Sequence, residues 1–366
     1  MGIINEIFRE HGPEYRRRFG AAMPAEHHKV IDAIIACRTE RYGTTVYHCE
    51  HCGRRHPLPR GCGNRHCPGC QNDKNRRWLQ RQLKRQLPGH HFLITFTVPQ
   101  ELRAFLRSNQ RLGYAALFAA SSEAMKRLAL DPRFIGGEQP GFFGVLHTWG
   151  RQLQYHPHIH FVVPGGAISR SGAWRPSAVT FYLPVQALSR IVRAKFRDRM
   201  AKAGLLARIP AEVWRQDWNV NSQAVGSSEG ALKYLAPYVF RVAISDGRIV
   251  KVEDGRVTFR YRKSGSNRPR TLTLDVLEFI RRFLQHVLPT GFMKVRHYGF
   301  LSPASAIALE EVRAKIELAH GFTIITPPAE PEPQRPMLCR HCGEQLVYRY
   351  SILPHRRGMH FGGPSG

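Results

Sequence analysis

The chain is predicted to take an α+β fold: an antiparallel sheet with flanking helices, preceded by a small zinc-binding domain. Three features predict it. Two Cys-x-x-Cys pairs lie in a basic, histidine-rich opening stretch. Short runs of β-branched and aromatic residues then alternate with longer helix-patterned segments. Two of those runs, residues 142–149 and 155–163, are joined by a connection too short for a parallel crossover, which makes them an antiparallel pair.

The elements follow in order. Residues 3–8 and 30–35 are amphipathic and read as helix. Residues 72–87 set Lys74, Arg76, Arg77, Arg81, Lys84 and Arg85 around Trp78, Leu79 and Leu83, a basic helix stopped by Pro88-Gly89. Its single sign of charge suits phosphate contact. Residues 91–98 (HFLITFTV) read as strand and 101–129 as helix. Residues 142–149 and 155–163 are the next strands, the latter ended by Pro164-Gly165-Gly166. Residues 184–203 form a second basic helix with Arg190, Arg193, Lys195, Arg197 and Arg199. Residues 248–252 and 256–262 flank Glu253-Asp254-Gly255, a hairpin signal. Residues 273–288 and 303–319 read as two further helices, and 326–336 as a Pro/Glu linker before a tail with Cys339-Arg340-His341-Cys342.

Charge narrows the function. The 366 residues carry 55 Lys+Arg against 27 Asp+Glu, a formal net charge of +28. Hydrophobic residues make up 42%, enough for a globular chain and too many for a disordered one. Such an excess of cations implies a polyanionic partner, nucleic acid or an anionic membrane surface. No apolar run approaches a membrane span, and the first ten residues, with Glu6 and Glu10, lack a signal-peptide core. The expectation is a soluble, cytoplasmic protein that binds DNA and no membrane.

The eight cysteines cluster, and without a secretory signal close pairs favour metal over disulfides. Cys49-Glu50-His51-Cys52 and Cys67-Pro68-Gly69-Cys70 are separated by 14 residues. Four thiolates at this spacing can close a tetrahedral structural zinc site at Cys49, Cys52, Cys67 and Cys70. Cys37, His56, Cys62 and His66 lie close enough in sequence to be alternative ligands. Cys339 and Cys342 are half a site, which His355 or His360 could complete.

His156-Pro157-His158-Ile159-His160 runs into Phe161-Val162-Val163. Alternate residues of a strand share a face, so His158 and His160 project side by side as a metal pair on a rigid element. Among 19 histidines in 366 residues, about one His-x-His pair arises by chance, but a tandem triple entering an apolar run is rarer. Solvated histidines on a strand edge, which Pro157 would suit, are the bland alternative. Tyr234 and Tyr238 lie four apart, one helix face if the segment is helical, with Pro237 between them. Two core aromatics would also explain that spacing.

Taken together the strings resemble the HUH endonuclease superfamily, and more closely its two-tyrosine rolling-circle transposases of the insertion-sequence-ninety-one family. The likeness runs through Cys62-Gly63-Asn64-Arg65-His66-Cys67-Pro68-Gly69-Cys70-Gln71, then Leu146-His147-Thr148-Trp149-Gly150 and Tyr155-His156-Pro157-His158-Ile159-His160-Phe161. It continues through Lys233-Tyr234-Leu235-Ala236-Pro237-Tyr238 and Arg296-His297-Tyr298-Gly299-Phe300-Leu301. The resemblance implies an HUH-endonuclease-type antiparallel sheet. It implies His158 and His160 as ligands of a catalytic Mg²⁺ or Mn²⁺, with His147, Gln154 or His156 as the third. It implies Tyr234 and Tyr238 as nucleophiles that cleave and rejoin single-stranded DNA at the element ends through a 5′-phosphotyrosine. Expected units are 1–88, zinc- and DNA-binding; 89–265, catalytic; 266–325, a helical extension; and 326–366, linker and Cys-x-x-Cys tail.

Rival readings are a plasmid rolling-circle replication initiator or relaxase, and a non-catalytic zinc DNA-binding protein. The first shares the histidines and tyrosines, but a large relaxase usually adds a helicase, and no GxxxxGK[ST] loop is present. The second leaves the histidine triple unexplained.

Overall fold

The computed structural model describes residues 2–226, 230, 232, 243–263, 265, 266, 268–321 and 336–354. The chain divides into two compact units, residues 1–71 with 331–366, and residues 72–330.

In the first unit, α1 (Ile3–Phe19) buries Ile4, Ile7, Phe8 and Tyr15 at helical spacing, and α2 (Ala25–Ile35) buries Val30, Ile31 and Ile34. Arg9 ties α1 to the end of α2 by donating to the Ile35 and Cys37 carbonyls. A three-stranded sheet follows, with β1 (Thr44–Cys49) between β2 (Arg55–Pro59) and the tail strand β13 (Leu346–Ile352), all antiparallel. The sequence boundaries set the tail apart from the opening domain, and the structure corrects them. β2 covers only one edge of β1, and β13 supplies backbone partners for the other. The opening unit also ends earlier than residue 88. Trp78 of α3 (Pro68–Lys84) packs against the large sheet of the second unit.

That sheet has five strands, all antiparallel to their neighbours: β3 (His91–Thr97), β4 (Phe142–Trp149), β5 (Tyr155–Pro164), β8 (Asn219–Gly226) and β12 (Val295–Tyr298). Their order is β12-β4-β5-β3-β8. Period-two alternation divides its side chains between two faces. One face carries Phe92, Ile94, Phe96, Phe142, Leu146, Ile159 and Phe161. α5 (Gln110–Ala129) and α6 (Val185–Lys202) cover it with Tyr114, Leu117, Phe118, Leu188, Val192 and Phe196. Gly144 makes room for the Phe161 ring, since a Cβ there would lie 2.5 Å from Cε1. The opposite face carries Leu93, Phe143, Val145 and Val162, packed with Trp78 and Leu232. The short helix α4 (Arg103–Ser108) precedes α5, a hairpin of β6 (Gly166–Ile168) and β7 (Trp174–Pro176) follows β5, and the single-turn α7 (Glu212–Arg215) follows α6.

A second small sheet, β11-β10-β9, is made of β9 (Ile249–Glu253), β10 (Arg256–Arg262) and β11 (Pro269–Asp275). Asp254 and Gly255 both take positive φ, 49° and 66°, the type I′ geometry that Asp-Gly favours in a two-residue hairpin. The expected boundary at 265 cuts through this sheet. The helix expected from 273 starts at Val276, where the Asp275 carboxylate accepts from the Leu277 and Glu278 amides and caps it.

Candidate metal centres

The four cysteines expected to share one zinc do not converge. Cys67 and Cys70 meet Cys37 and Cys62, whereas Cys49 and Cys52 meet Cys339 and Cys342. In each group the sulfurs lie within 4.8 Å of one another. The correction has a local cause. Cys49 ends β1, and β13 brings the tail knuckle to that same end through the pairing Cys49↔Leu346.

The sulfur geometry suits a tetrahedral ion. A zinc about 2.3 Å from each sulfur sets the sulfurs about 3.8 Å apart. Contacts of 3.5 Å (Cys37–Cys70) and 3.7 Å (Cys62–Cys70) mark the first centre, and 3.4 Å (Cys49–Cys342) and 3.6 Å (Cys52–Cys339) the second. All are far from the roughly 2.05 Å of a disulfide. Thiol hydrogen bonds from Cys62 and Cys67 draw Cys37 down to about 7, towards the thiolate a metal requires. Asn5 donates to Cys67 Sγ at 3.6 Å, anchoring the centre to α1. In the second centre the two knuckles have the same fold. Cys49 N bonds Arg54 O and Gly53 N bonds Cys49 O; Cys339 N bonds Glu344 O and Gly343 N bonds Cys339 O. The repeated string Cys-x-His-Cys-Gly, at 49–53 and 339–343, was the signal that pairs them. The His56 ring stands 3.3 Å from Cys339 Sγ, outside the four-sulfur set.

The third cluster lies on the large sheet. β4 pairs with β5 so that His147 faces His158, and His160 lies two pairs further along, on the same face, opposite Val145. Ring centroids of His147, His158 and His160 are 4.6–5.2 Å apart, and their ligand nitrogens lie within 4.8 Å. Of the three candidates for the remaining ligand position, the structure brings His147 to the pair. The Gln154 side chain instead accepts the Gln152 amide at 2.9 Å. His156 stays outside the cluster, and its carbonyl lies 2.7 Å from His158 Nδ1. Thr95 Oγ1 meets His160 Nδ1, also at 2.7 Å. With their Nδ1 atoms engaged, His158 and His160 keep Nε2 for an ion.

Burial, reinforced by the neighbouring imidazoles, holds His147 and His158 well below the ordinary histidine range, and burial lowers His160 to about 4. All three are therefore neutral near pH 7, the form that ligates metal. Trp149 stacks on His147 at 4.9 Å, with Lys294 Nζ 4.6 Å from the indole centroid. Arg103 and Lys294 are near enough to disfavour charge on the cluster histidines. Motif reading missed Thr95, Arg103 and Lys294, because the pairing of β3 with β5, the start of α4 and the pairing of β12 with β4 bring them near the histidines from distant parts of the sequence. Tyr234 and Tyr238 lie outside the described residues.

Comparisons with known proteins agree with this layout. Residues 7–98 match a family described as a transposase zinc-binding domain, and residues 141–307 match one described as a putative transposase. A putative transposase of Sinorhizobium fredii (strain NBRC 101917 / NGR234), y4qJ, is 36% identical over 94% of this chain and 90% of its own length. The transposase for insertion sequence element IS801 of Pseudomonas savastanoi pv. phaseolicola is 25% identical over 88% of this chain and 83% of its own. No solved structure matches. Among the described residues no helix is long and apolar enough to cross a membrane. With one zinc-type cysteine centre wholly in the matched N-terminal region and relatives aligned over nearly its whole length, the chain belongs to the insertion-sequence-ninety-one family of transposases, DNA-acting enzymes with an N-terminal zinc-binding domain.

Proposed function

We propose that this transposase cuts and rejoins single-stranded DNA by tyrosine attack at a divalent-metal site held by His147, His158 and His160. Tyr234 and Tyr238 are the nucleophiles. The observation that carries the proposal is the convergence of three neutral imidazoles on one sheet face. A DNA-binding protein that does not cut has no use for it. The donor set fits Mn²⁺ readily, and Mg²⁺ if phosphate oxygens and water complete its sphere. When bound, such an ion polarises a phosphate and stabilises the charge that builds on its oxygens.

The remaining chemistry belongs to the chain. A tyrosine Oη bonds to phosphorus as the bond from phosphorus to the 3′ oxygen breaks. The phenol proton is lost and the freed 3′ oxygen takes one up. Attack by a 3′ hydroxyl reverses the step, so rejoining needs no ATP. Arg103 and Lys294 place positive charge beside the histidines and would draw the strand there. Asn219, Asn221 and Gln223 stand exposed on β8, in register with Thr97, Thr95 and Leu93 of the histidine-bearing face, and form a polar lane for a single strand. Leu232, two residues before Tyr234 in the sequence, is buried in the cluster on that same face.

The test is nicking of a single-stranded oligonucleotide with Mg²⁺ or Mn²⁺, followed by mass spectrometry of the covalent peptide. Tyr→Phe removes only the hydroxyl. Either single variant should keep partial nicking and lose complete strand transfer, and the double variant should form no adduct. An adduct formed by the double variant would place the nucleophile elsewhere.

A further inference from the structure

We propose that the half-open hollow at the other end of the histidine-bearing face is a pocket for one guanine base of the DNA strand. The hollow is shallow and open to solvent on one side, so a base would lie across its mouth. Its lining is mostly apolar, with Phe143 and Val162 from the sheet, and includes the polar side chains of Gln82, Arg85, Gln86 and His297. Val162 lies two residues from His160 on the same face of β5, hence about 7 Å away along the strand. A strand crossing the metal site therefore reaches the hollow within a few nucleotides.

The lining selects the occupant. A flat ring with a polar edge fits an apolar lining that carries amides and a guanidinium. Gln82 lies in the last turn of α3, and Arg85 and Gln86 follow its end, where Arg85 N bonds Gln82 O and Gln86 N bonds Leu83 O. Arg85 is exposed and has no ion pair among the described residues. Gln82 and Gln86 are half-buried beside it. The Gln86 carbonyl accepts from Arg313 at 2.9 Å, which pins this segment in place. The His297 ring lies tilted over Phe143 with centroids 5.6 Å apart, and its Nε2 has no hydrogen-bond partner among the described residues. Of the four bases, guanine offers an arginine two acceptors on one edge, O6 and N7, the commonest base-specific arginine contact. The amides of Gln82 and Gln86 can meet its remaining donors.

This inference rests on the proposed reading only in taking single-stranded DNA as the ligand, and its test requires no cleavage. Fluorescence anisotropy would compare a twelve-residue oligothymidylate with versions carrying one central dG, dA or dC, with no divalent ion added. The dG strand should bind about tenfold more tightly than oligothymidylate, and dA and dC should gain less than threefold. Arg85→Ala and Arg85→Lys should both erase the dG advantage. The lysine variant retains the charge but not the fork, so it separates base reading from phosphate attraction. His158→Ala should keep the dG advantage whether or not it nicks DNA, which keeps failure of the pocket distinct from failure of the cleavage mechanism. Equal affinity for all four strands, a preference for another base, or a dG advantage that survives Arg85→Lys would overturn the proposal.

Discussion

The cysteine centres and the histidine cluster gather metal-type ligands in opposite ways. Each cysteine centre has four sulfurs, the first from residues 37–70 and the second from two knuckles at opposite ends of the chain, so an ion held by all four has no vacant position. The histidine cluster has three nitrogens from two adjacent strands of one sheet. Three protein ligands leave room for a substrate oxygen or water. The cysteine segments need their ion to be held together, whereas the histidines stand on a sheet already closed by its own core. On the proposed reading, metal at the first two centres serves folding, and metal at the third serves chemistry.

The comparison breaks most visibly when metal is withdrawn. All five tryptophans, Trp78, Trp149, Trp174, Trp214 and Trp218, lie in the second unit, so their fluorescence reports that unit alone. A strong chelator should release about two equivalents of zinc and unfold the first unit, since structural zinc contributes on the order of 10 kcal/mol in small zinc domains. The tryptophan signal should barely change. A metal-free first unit with intact amide protection in hydrogen exchange would defeat the distinction.

Next in size is loss of a histidine. His158→Ala should lower nicking more than about a hundredfold, yet leave DNA affinity within a few-fold and the tryptophan melting curve nearly unmoved. Normal nicking by both His158→Ala and His160→Ala would remove the metal role from this cluster.

A smaller effect tests the support beneath the ligands. Thr95→Val keeps the shape but deletes the hydroxyl at His160 Nδ1. Mn²⁺ affinity should fall about 10- to 100-fold, as for other residues that orient a ligating histidine. Unchanged affinity by isothermal titration would show that packing alone orients the ring.

A test independent of metal is acid sensitivity of the second unit. Burial lowers His91 to about 4 and His286 to about 3. Unfolded, each takes a proton below about pH 6.5, whereas the folded forms resist until those lower values. The unfolded state thus binds more protons between about pH 6.5 and 3, and stability falls as pH falls, by about 1.4 kcal/mol per pH unit for each histidine. Above pH 6.5 neither contributes. Urea midpoints followed by tryptophan fluorescence should be flat from pH 7 to 8 and decline below 6. A flat curve down to pH 4 would contradict the burial of these two rings.

Local pattern made much of the second unit legible. Residues 142–149 were read at their observed bounds, and 155–163 fell one residue short. Both strands are apolar, β-rich and bounded by Gly or Pro. The alternation that puts His158 and His160 on one face follows from the strand itself. What stayed illegible depends on partners distant in sequence. β8 is half polar, and β12 is only four residues long. β11 alternates Thr and Leu, a period-two signal that the helical reading from 273 overrode. In the first unit, sequence proximity suggested Cys49 and Cys52 with Cys67 and Cys70, but strand pairing with the tail decides the partners. His147 was one of three possible ligands until the register of β4 on β5 placed it opposite His158.

The second cysteine centre also bears on how this protein is made. Cys52 and Cys339 are separated by 287 positions. At about 5–20 residues per second, a ribosome needs roughly a quarter-minute to a minute to travel between them. Throughout that interval the emerging knuckle holds half a site. A chain terminated before Cys339 would carry the whole histidine-bearing sheet and never complete the ribbon. Completion of this centre therefore waits until the tail knuckle has been made.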